Sequence, residues 1–439
     1  MKSVIVVGAG GTIGRLVVQL LAAENYMVYA IDTREGGPVS DTNICYLKAN
    51  ALHNVAYQEL LSLRGRDFYG EIKAIVSCLP YDKTLAVAKI AHEYNISYFD
   101  LTEDVKVRTA IKSMLDKVPR DSAFVPSCGL APGYINQLAA YWIDNISEES
   151  GCVTKVKLRV GALPYPAPAN SFKYTMTWSI DGLVNEYIKT CEVLREGQKF
   201  ILPALGDREE LEIDGVTYEA FNTSGGIGTL VDTYQGKIQE LDYKTIRYVG
   251  HLNAVKKLMS ENITGDDSSG LKRIFNMYCS PPLNQLVKDI VLIKIEIYNT
   301  GEFATDPFVY TEAIGPKEIN GVMYSAIQVA TAGDLVKVVD HVLTHKDLYK
   351  GFVTQERLKG IAHDWKIDHK GSILASLGGE EPVDWETVVA DGLEDEEEWE
   401  PVITPATREV AKQNLKEQEE QSDEAFLIRA DMDRKIDKL

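Results

Sequence analysis

SVIVVGAGGTIG, residues 3–14, sets a run of β-branched residues directly before four glycines. The apolar run predicts a buried strand, and the amphipathic segment Thr12–Ala23 after it predicts a helix. So tight a turn needs glycine, both for its backbone angles and so that a pyrophosphate can approach bare backbone. The start of the helix then offers unpaired N–H groups to that anion. The stretch therefore predicts a dinucleotide-binding turn, and a glycine-rich turn without a ligand is the alternative.

The predicted dinucleotide site extends from this turn to the ends of later strands. Asp32 ends the second predicted strand, 24 positions after Gly8, where an acid accepts hydrogen bonds from ribose hydroxyls and favours NAD. Arg34 lies two residues on and can instead meet the 2′-phosphate of NADP, so NADP stays open. The predicted cofactor-binding residues are Gly8, Gly10, Gly11, Thr12, Ile13, Gly14, Asp32, Arg34, Cys78, Leu79 and Pro80.

The first third of the chain alternates short apolar runs with helical patterns, which predicts an α/β fold with a doubly wound parallel Rossmann sheet. The predicted strands are Ser3–Val7, Met27–Asp32, Ala74–Ser77, Ile96–Leu101 and Ala123–Pro126, and the helices between them include Thr12–Ala23 and Thr84–Tyr94.

From about residue 151 the pattern is typical of an α+β domain with a mixed or antiparallel sheet. Its predicted strands are Val153–Leu163, Phe172–Trp178, Asp242–Tyr248 and Val291–Tyr298, and a strand over Val322–Ala330 leads into a helix over Gly333–Leu343. We therefore expect a dinucleotide-binding domain over 1–130, a substrate and dimerisation domain over 131–325, a return segment over 326–360 that completes the first domain, and an acidic, helix-prone extension over 361–439.

Composition excludes several classes of function. The 439 residues carry 46 Lys and Arg against 65 Asp and Glu, a net charge of −19, which would repel nucleic acid and anionic membranes. No apolar stretch approaches the roughly 20 residues that span a bilayer. Six cysteines without CxxC spacing suit reduced thiols, so we expect a cytoplasmic protein. His341 and His345 lack an HExxH pattern, and we expect no metal.

Three polar residues are candidates for the chemistry. Asp100 ends a predicted parallel strand, where ligands of doubly wound sheets bind. It orients a substrate or takes a proton, or it caps the helix predicted over Glu103–Leu115. Arg247 can hold a carboxylate through two parallel hydrogen bonds, and His251 can act as a general acid or base. The alternatives are a surface arginine and a helix-capping histidine. Tyr174, Trp178 and Ser179 can line a pocket. The alternative for the two aromatic residues is a place in the core.

Six motifs, in this order along residues 1–360, resemble the saccharopine dehydrogenase family, which includes saccharopine reductases, lysine 6-dehydrogenases and carboxynorspermidine dehydrogenases. They are GAGGTIG (8–14), SCGLAPG (127–133), GALP (161–164), TWSIDGLVNEY (177–187), AFNTSGGIGTL (220–230) and RYVGH (247–251). The resemblance implies an NAD(P)-dependent oxidoreductase that acts at a carbon–nitrogen bond of an amino acid and forms a homodimer through its second domain. It also implies that Arg247 binds a substrate carboxylate and that Ser179 lies close to it.

Two departures bear on the subfamily. Saccharopine reductases tend to carry an acidic residue where this chain has Ala131 and a cysteine where it has Val160. The departures favour the lysine 6-dehydrogenase or polyamine branches.

The expected reaction is reversible hydride transfer between nicotinamide C4 and the carbon that bears a substrate amine, with Asp100 or His251 as the base. The small substrate is an amino acid such as lysine or saccharopine, or an amine. The alternative is a dinucleotide-sensing or scaffold protein that keeps the fold without turnover.

Overall fold

A computed structural model gives the architecture. It describes residues 2–34, 42–54, 57–58, 71–262, 268–281, 288–301 and 305–361. The acidic extension predicted from residue 361 therefore lies, apart from its first residue, outside the described residues.

A seven-stranded sheet forms one layer, and all of its strand pairs are parallel. Its strands are β1 (Lys2–Val7), β2 (Tyr26–Asp32), β3 (Ile44–Lys48), β4 (Ile72–Ser77), β5 (Ser97–Asp100), β6 (Ala123–Val125) and β17 (Gly351–Phe352). They lie side by side in the order β17-β6-β5-β4-β1-β2-β3, so the chain starts in the middle and the strand from the return segment closes one edge.

A mixed sheet forms the second layer. Its strands are β7 (Val153–Pro164), β8 (Cys191–Arg195), β9 (Gln198–Leu202), β10 (Glu209–Ile213), β11 (Val216–Asn222), β12 (Glu240–Tyr248), β13 (Asp289–Asn299) and β14 (Phe308–Ile314). The main path is β10-β11-β12-β7-β13-β14, with β8 and β9 attached beside β12. Strand β12 runs parallel to β7, and the other pairs are antiparallel. The predicted fold class, a parallel Rossmann sheet with a mixed-sheet α+β domain, is confirmed.

Helices cover the sheets and join them. They are α1 (Gly14–Ala23), α2 (Tyr81–Tyr94), α3 (Val105–Lys117), α4 (Tyr134–Ser150), α5 (Ile180–Ile188), α6 (Leu230–Tyr234), α7 (His251–Asn262), α8 (Ser268–Cys279) and α9 (Ala326–Thr344). One core holds Val6 of β1, Ile143 of α4 and Ile293 of β13, so the two layers share a continuous buried interior. In the described part of the chain, no helix has the length and apolarity needed to cross a bilayer.

Three local features differ from the prediction. Phe172–Trp178 is irregular: the Met176 amide donates to the Cys279 carbonyl at 2.7 Å, and no strand among the described residues pairs with the segment. Strand β3 was missed. The strand predicted over 322–330 is only β16 (Val322–Tyr324), paired with β15 (Lys317–Ile319).

Helix α9 begins early because residue 325 caps it. The Ser325 hydroxyl accepts from the Gln328 amide, and the Gln328 side chain accepts from the Ser325 amide at 2.8 Å. This reciprocal capping box satisfies N–H groups that would otherwise lack partners at the start of a helix. Asp289 accepts from the Ala326 and Ile327 amides as well.

Candidate active site

One cavity of about 910 Å³ opens at the carboxyl ends of β1, β2, β4 and β5 and extends across to β7 and β12 of the mixed sheet. The glycine turn and Asp32 line one end, and Arg247 lines the other. The carboxyl edge of a doubly wound sheet is where such folds bind ligands. The cavity therefore brings together residues more than 200 positions apart.

The turn after β1 has room for backbone only. Gly8 has a φ of +75°, and a Cβ built on it would lie 2.9 Å from the Cys78 carbonyl oxygen. A Cβ on Gly14 would lie 2.1 Å from the Gly8 oxygen, which no side chain allows. The first turn of α1 thus packs directly on the end of β1, which leaves helix N–H groups facing a shallow cradle suited to a phosphate.

Asp32 lies at the end of β2 with its carboxylate already oriented. It accepts from the Gly10 amide at 2.9 Å, from the Arg34 amide at 3.0 Å and from Arg34 Nε at 3.1 Å. Partial burial alone would raise the pKa of Asp32, but these hydrogen bonds outweigh it and hold the pKa below its usual value. The carboxylate therefore stays ionised and can accept from ribose hydroxyls.

Most of the predicted cofactor residues line the cavity. These are Gly8, Gly11, Thr12, Ile13, Asp32, Arg34, Cys78, Leu79 and Pro80. Gly10 and Gly14 do not line it and instead shape the turn. Gln328 of α9 was missed; its side-chain amide donates to the Thr12 carbonyl at 2.9 Å, which ties the return segment to the turn, and its capping motif was the available signal.

Arg247 is buried near the end of β12, with 2% of the residue exposed, so the surface alternative is wrong. Its Nη1 donates to the Ile246 carbonyl at 2.9 Å and its Nε to the Tyr187 hydroxyl at 3.0 Å. The guanidinium lies 4.8 Å from the centre of the Tyr174 ring. Among the described residues, none accepts from Nη2, and the side chain lines the cavity, so that nitrogen can bind an anionic ligand.

His251 does not occupy a catalytic position. It is fully buried, does not line the cavity, and makes a hydrogen bond with each ring nitrogen: Nδ1 with the Phe172 carbonyl at 2.7 Å and Nε2 with the Tyr187 hydroxyl at 2.9 Å. Burial, with the nearby Arg247 charge, lowers the pKa of His251 to about 3. A neutral ring without access to the cavity is a poor candidate for the base.

Asp100 does not line the cavity either. Its Oδ1 accepts from the Thr102 amide at 2.9 Å and the Ser127 amide at 3.0 Å, and the residue is fully buried behind the cavity wall. Burial raises its pKa to about 6. The helix-cap alternative is wrong too, because Asp104 caps α3 by accepting from the Val107 amide. Asp100 holds two loops together.

Two glutamates that the sequence analysis missed line the cavity together with Arg247. Glu186 of α5 is 7% exposed, and no described residue makes a hydrogen bond or ion pair with its carboxylate. Burial raises its pKa to about 8, against the pull of the Arg247 charge. Burial also raises the pKa of Glu103 to about 7. The signal for Glu186 was present, because Ser179, Gly182 and Glu186 fall on one face of α5.

The two remaining candidates divide between cavity and core. Ser179 lines the cavity and caps α5, accepting from the Gly182 amide at 3.3 Å. Tyr174 is fully buried beneath Arg247 and does not line the cavity, as the core alternative predicted. The two departures noted above, Ala131 and Val160, both line the cavity. Within the described ranges, no group of three His, Cys, Asp or Glu side chains is arranged to hold a metal ion.

Comparison with known proteins gives a family match and many similar folds, two of which are given below. Residues 129–395 match the family model described as the saccharopine dehydrogenase C-terminal domain. Apo saccharopine dehydrogenase (L-Glu forming) from Saccharomyces cerevisiae superposes with a TM-score of 0.59 at 14% identity, over 84% of this chain and 98% of that one. Homospermidine synthase from Legionella pneumophila, in complex with NAD, also superposes with a TM-score of 0.59, at 12% identity over 91% of this chain and 95% of that one. At these identities the two structures show a shared fold.

Proposed function

The chain belongs to the saccharopine dehydrogenase family, and from that premise we propose that it is an NAD(P)-dependent oxidoreductase acting at a carbon–nitrogen bond of an amino acid such as lysine or saccharopine. One observation carries the proposal: a single cavity is lined both by the glycine turn after β1 and by the buried Arg247. A redox cofactor and a carboxylate-bearing substrate would therefore meet in one cavity.

The cradle above Gly8 and Gly14 and the ionised Asp32 fit a dinucleotide. The turn would hold the pyrophosphate and Asp32 the adenosine ribose, which favours NAD over NADP. When bound, the dinucleotide supplies a nicotinamide ring that accepts or donates hydride.

Arg247 would orient the substrate through its carboxylate. Because Nε and one N–H of Nη1 already donate within the protein, Nη2 and the second N–H of Nη1 remain available to the ligand. A hydrogen bond between two charged groups is stronger than one between neutral groups. Its direction would fix the position of the carbon that bears the amine.

Glu186 would accept the amine proton. An ammonium has no lone pair to drive the departure of hydride, so the nitrogen must lose a proton first. Glu186 lines the same end of the cavity as Arg247, and a pKa near 8 suits a base that works near neutral pH. This assignment replaces Asp100 and His251.

A polyamine-type substrate is the second candidate. Two carboxylates, Glu103 and Glu186, line the substrate end, whereas Arg247 is the buried cation there. That balance suits a ligand with more ammonium groups than carboxylates. The similar fold of homospermidine synthase agrees with this candidate.

Absorbance at the reduced-nicotinamide band tests the proposal. The purified full chain is mixed with NAD or NADP and with lysine, saccharopine, diamines and carboxylated polyamines in turn. Amine-dependent reduction supports the proposal, and the best substrate separates the two candidates. NADH binding without turnover on any of these compounds would contradict it and favour the dinucleotide-sensing alternative.

A further inference from the structure

Arg247 and Glu186 line the same cavity and carry opposite charges once Glu186 is ionised, yet no ion pair within 4.0 Å joins them among the described residues. Opposite charges in a largely buried site attract each other more strongly than in bulk water. If they paired, the cavity would lose both its cation and its base. Arg247 instead donates to the Ile246 carbonyl and to the Tyr187 hydroxyl.

A chain of three hydrogen bonds ends at Arg247 Nε. His251 Nδ1 lies 2.7 Å from the Phe172 carbonyl oxygen, and His251 Nε2 lies 2.9 Å from the Tyr187 hydroxyl. The same hydroxyl lies 3.0 Å from Arg247 Nε. His251 is fully buried, and Tyr187 is 2% exposed. None of the three hydrogen bonds is therefore open to replacement by bulk water.

The direction of each bond in the chain is fixed. A carbonyl can only accept, so His251 Nδ1 carries the hydrogen that points to Phe172. Burial and the Arg247 charge lower the His251 pKa to about 3, so the ring is neutral and Nε2 is an acceptor. Tyr187 must then donate to His251, which leaves its oxygen lone pairs directed at Arg247 Nε.

We propose that His251 and Tyr187 are positioning residues that hold the Arg247 guanidinium with Nη2 toward the cavity, and that they thereby set the preference for a substrate with a carboxylate. Without the histidine acceptor, the Tyr187 hydroxyl is free to rotate and donate elsewhere. Arg247 then loses a fixed acceptor and can turn toward Glu186. The substrate preference rests on the proposed function, whereas the hydrogen-bond chain does not.

Three variants separate positioning from general structural support. Tyr187→Phe removes the hydroxyl that accepts from Arg247. His251→Asn keeps a donor for the Phe172 carbonyl but is too short to reach Tyr187, whereas His251→Gln places an amide oxygen where Nε2 now accepts. We expect Tyr187→Phe and His251→Asn to raise KM for lysine roughly tenfold or more, with a smaller change in kcat, and His251→Gln to restore much of the loss.

The matched probe is 1,5-diaminopentane, which is lysine without its carboxylate. Its KM, or its dissociation constant by calorimetry if turnover is absent, should be nearly the same in all three variants and the parent protein. Equal losses for lysine and the diamine would overturn the proposal, because a purely structural role would affect both. The melting temperature identifies any variant that fails to fold.

Nitrogen NMR of the histidine rings tests the chain without any catalysis. In the unmodified protein at neutral pH, His251 should be the neutral tautomer protonated on Nδ1, identified by loss of its signals in His251→Gln. A ring protonated on Nε2, or on both nitrogens, would overturn the proposal. If no amine is oxidised but this tautomer is found and lysine binds more tightly than the diamine, the proposed function fails and the positioning role stands.

Discussion

The two ends of the cavity are built in different ways. The proposed dinucleotide end is built largely from the backbone of one continuous stretch, Gly8 to Gly14, with the Asp32 carboxylate held by its neighbours. The proposed substrate end presents charged side chains from distant segments: Glu103, Glu186 and Arg247. The shape of the first end depends on glycines whose positions leave no room for a side chain. The chemistry of the second end depends on charged side chains that face the cavity.

This contrast predicts that substitutions at the substrate end affect turnover most and leave dinucleotide binding intact. Arg247→Met should lower kcat/KM for a carboxylate-bearing substrate by roughly a thousandfold, because truncating one partner of a buried charge pair costs several kcal/mol. NADH affinity, measured by fluorescence titration, should change less than about twofold. Arg357→Met, at an exposed arginine, is the control. Similar losses in kcat/KM and in NADH affinity would contradict the distinction between the two ends.

Glu186→Gln should lower kcat for amine oxidation by roughly a hundredfold, the usual contribution of a general base. Burial raises the Glu186 pKa to about 8, and the ionised form is the active one. In the parent protein, kcat should therefore rise about tenfold per pH unit below pH 8 and level off above it. The variant should lack this rise. Glu240→Gln, at an exposed ion pair with Lys155, should keep it.

Gly14→Ala tests the dinucleotide end. The new Cβ would lie 2.1 Å from the Gly8 oxygen, so the turn must shift. We expect NADH to bind at least tenfold more weakly and the melting temperature to fall. Gly360→Ala is the matched control, because its built Cβ meets nothing within 4 Å. Unchanged NADH binding in Gly14→Ala would show that the cradle is not the pyrophosphate site.

Asp32→Ser should have the smallest effect. NADH should bind roughly tenfold more weakly, because its ribose hydroxyls lose an ionised acceptor. NADPH binding should change little, because Arg34 is released from its hydrogen bond with Asp32. Comparison of the two dissociation constants measures this directly. Asp121→Ser, at an exposed aspartate, controls for loss of charge. A larger loss for NADPH than for NADH would reverse the proposed cofactor preference.

The sequence predicted the geometry of the glycine-turn end well, because its signal is local. Strand, turn and helix follow within one stretch, and Gly8, Thr12 and Asp32 line the cavity where the spacing placed them. The mixed sheet was also predictable from the strands around Val153 and Val291. Strand β3 was missed, and so was the early start of α9 at its capping box.

The substrate end was only partly predictable, because burial and pairing depend on contacts that spacing does not reveal. Arg247 was predicted to bind a carboxylate, but His251 and Asp100 look equally reactive in a sequence. Only the fold shows that His251 is enclosed by Tyr187 and Phe172 while Glu186 faces the cavity.

Transfer of an isotope label tests the central claim most directly, since it asks whether the two ends act on the same molecule. Lysine, saccharopine and a carboxylated polyamine are deuterated at the carbons that bear nitrogen and incubated with the protein and NAD. We predict that the NADH formed from at least one of them carries deuterium at nicotinamide C4, detected by mass spectrometry. NADH formed without label, or no NADH from any of these compounds despite measurable NADH binding, would contradict the account.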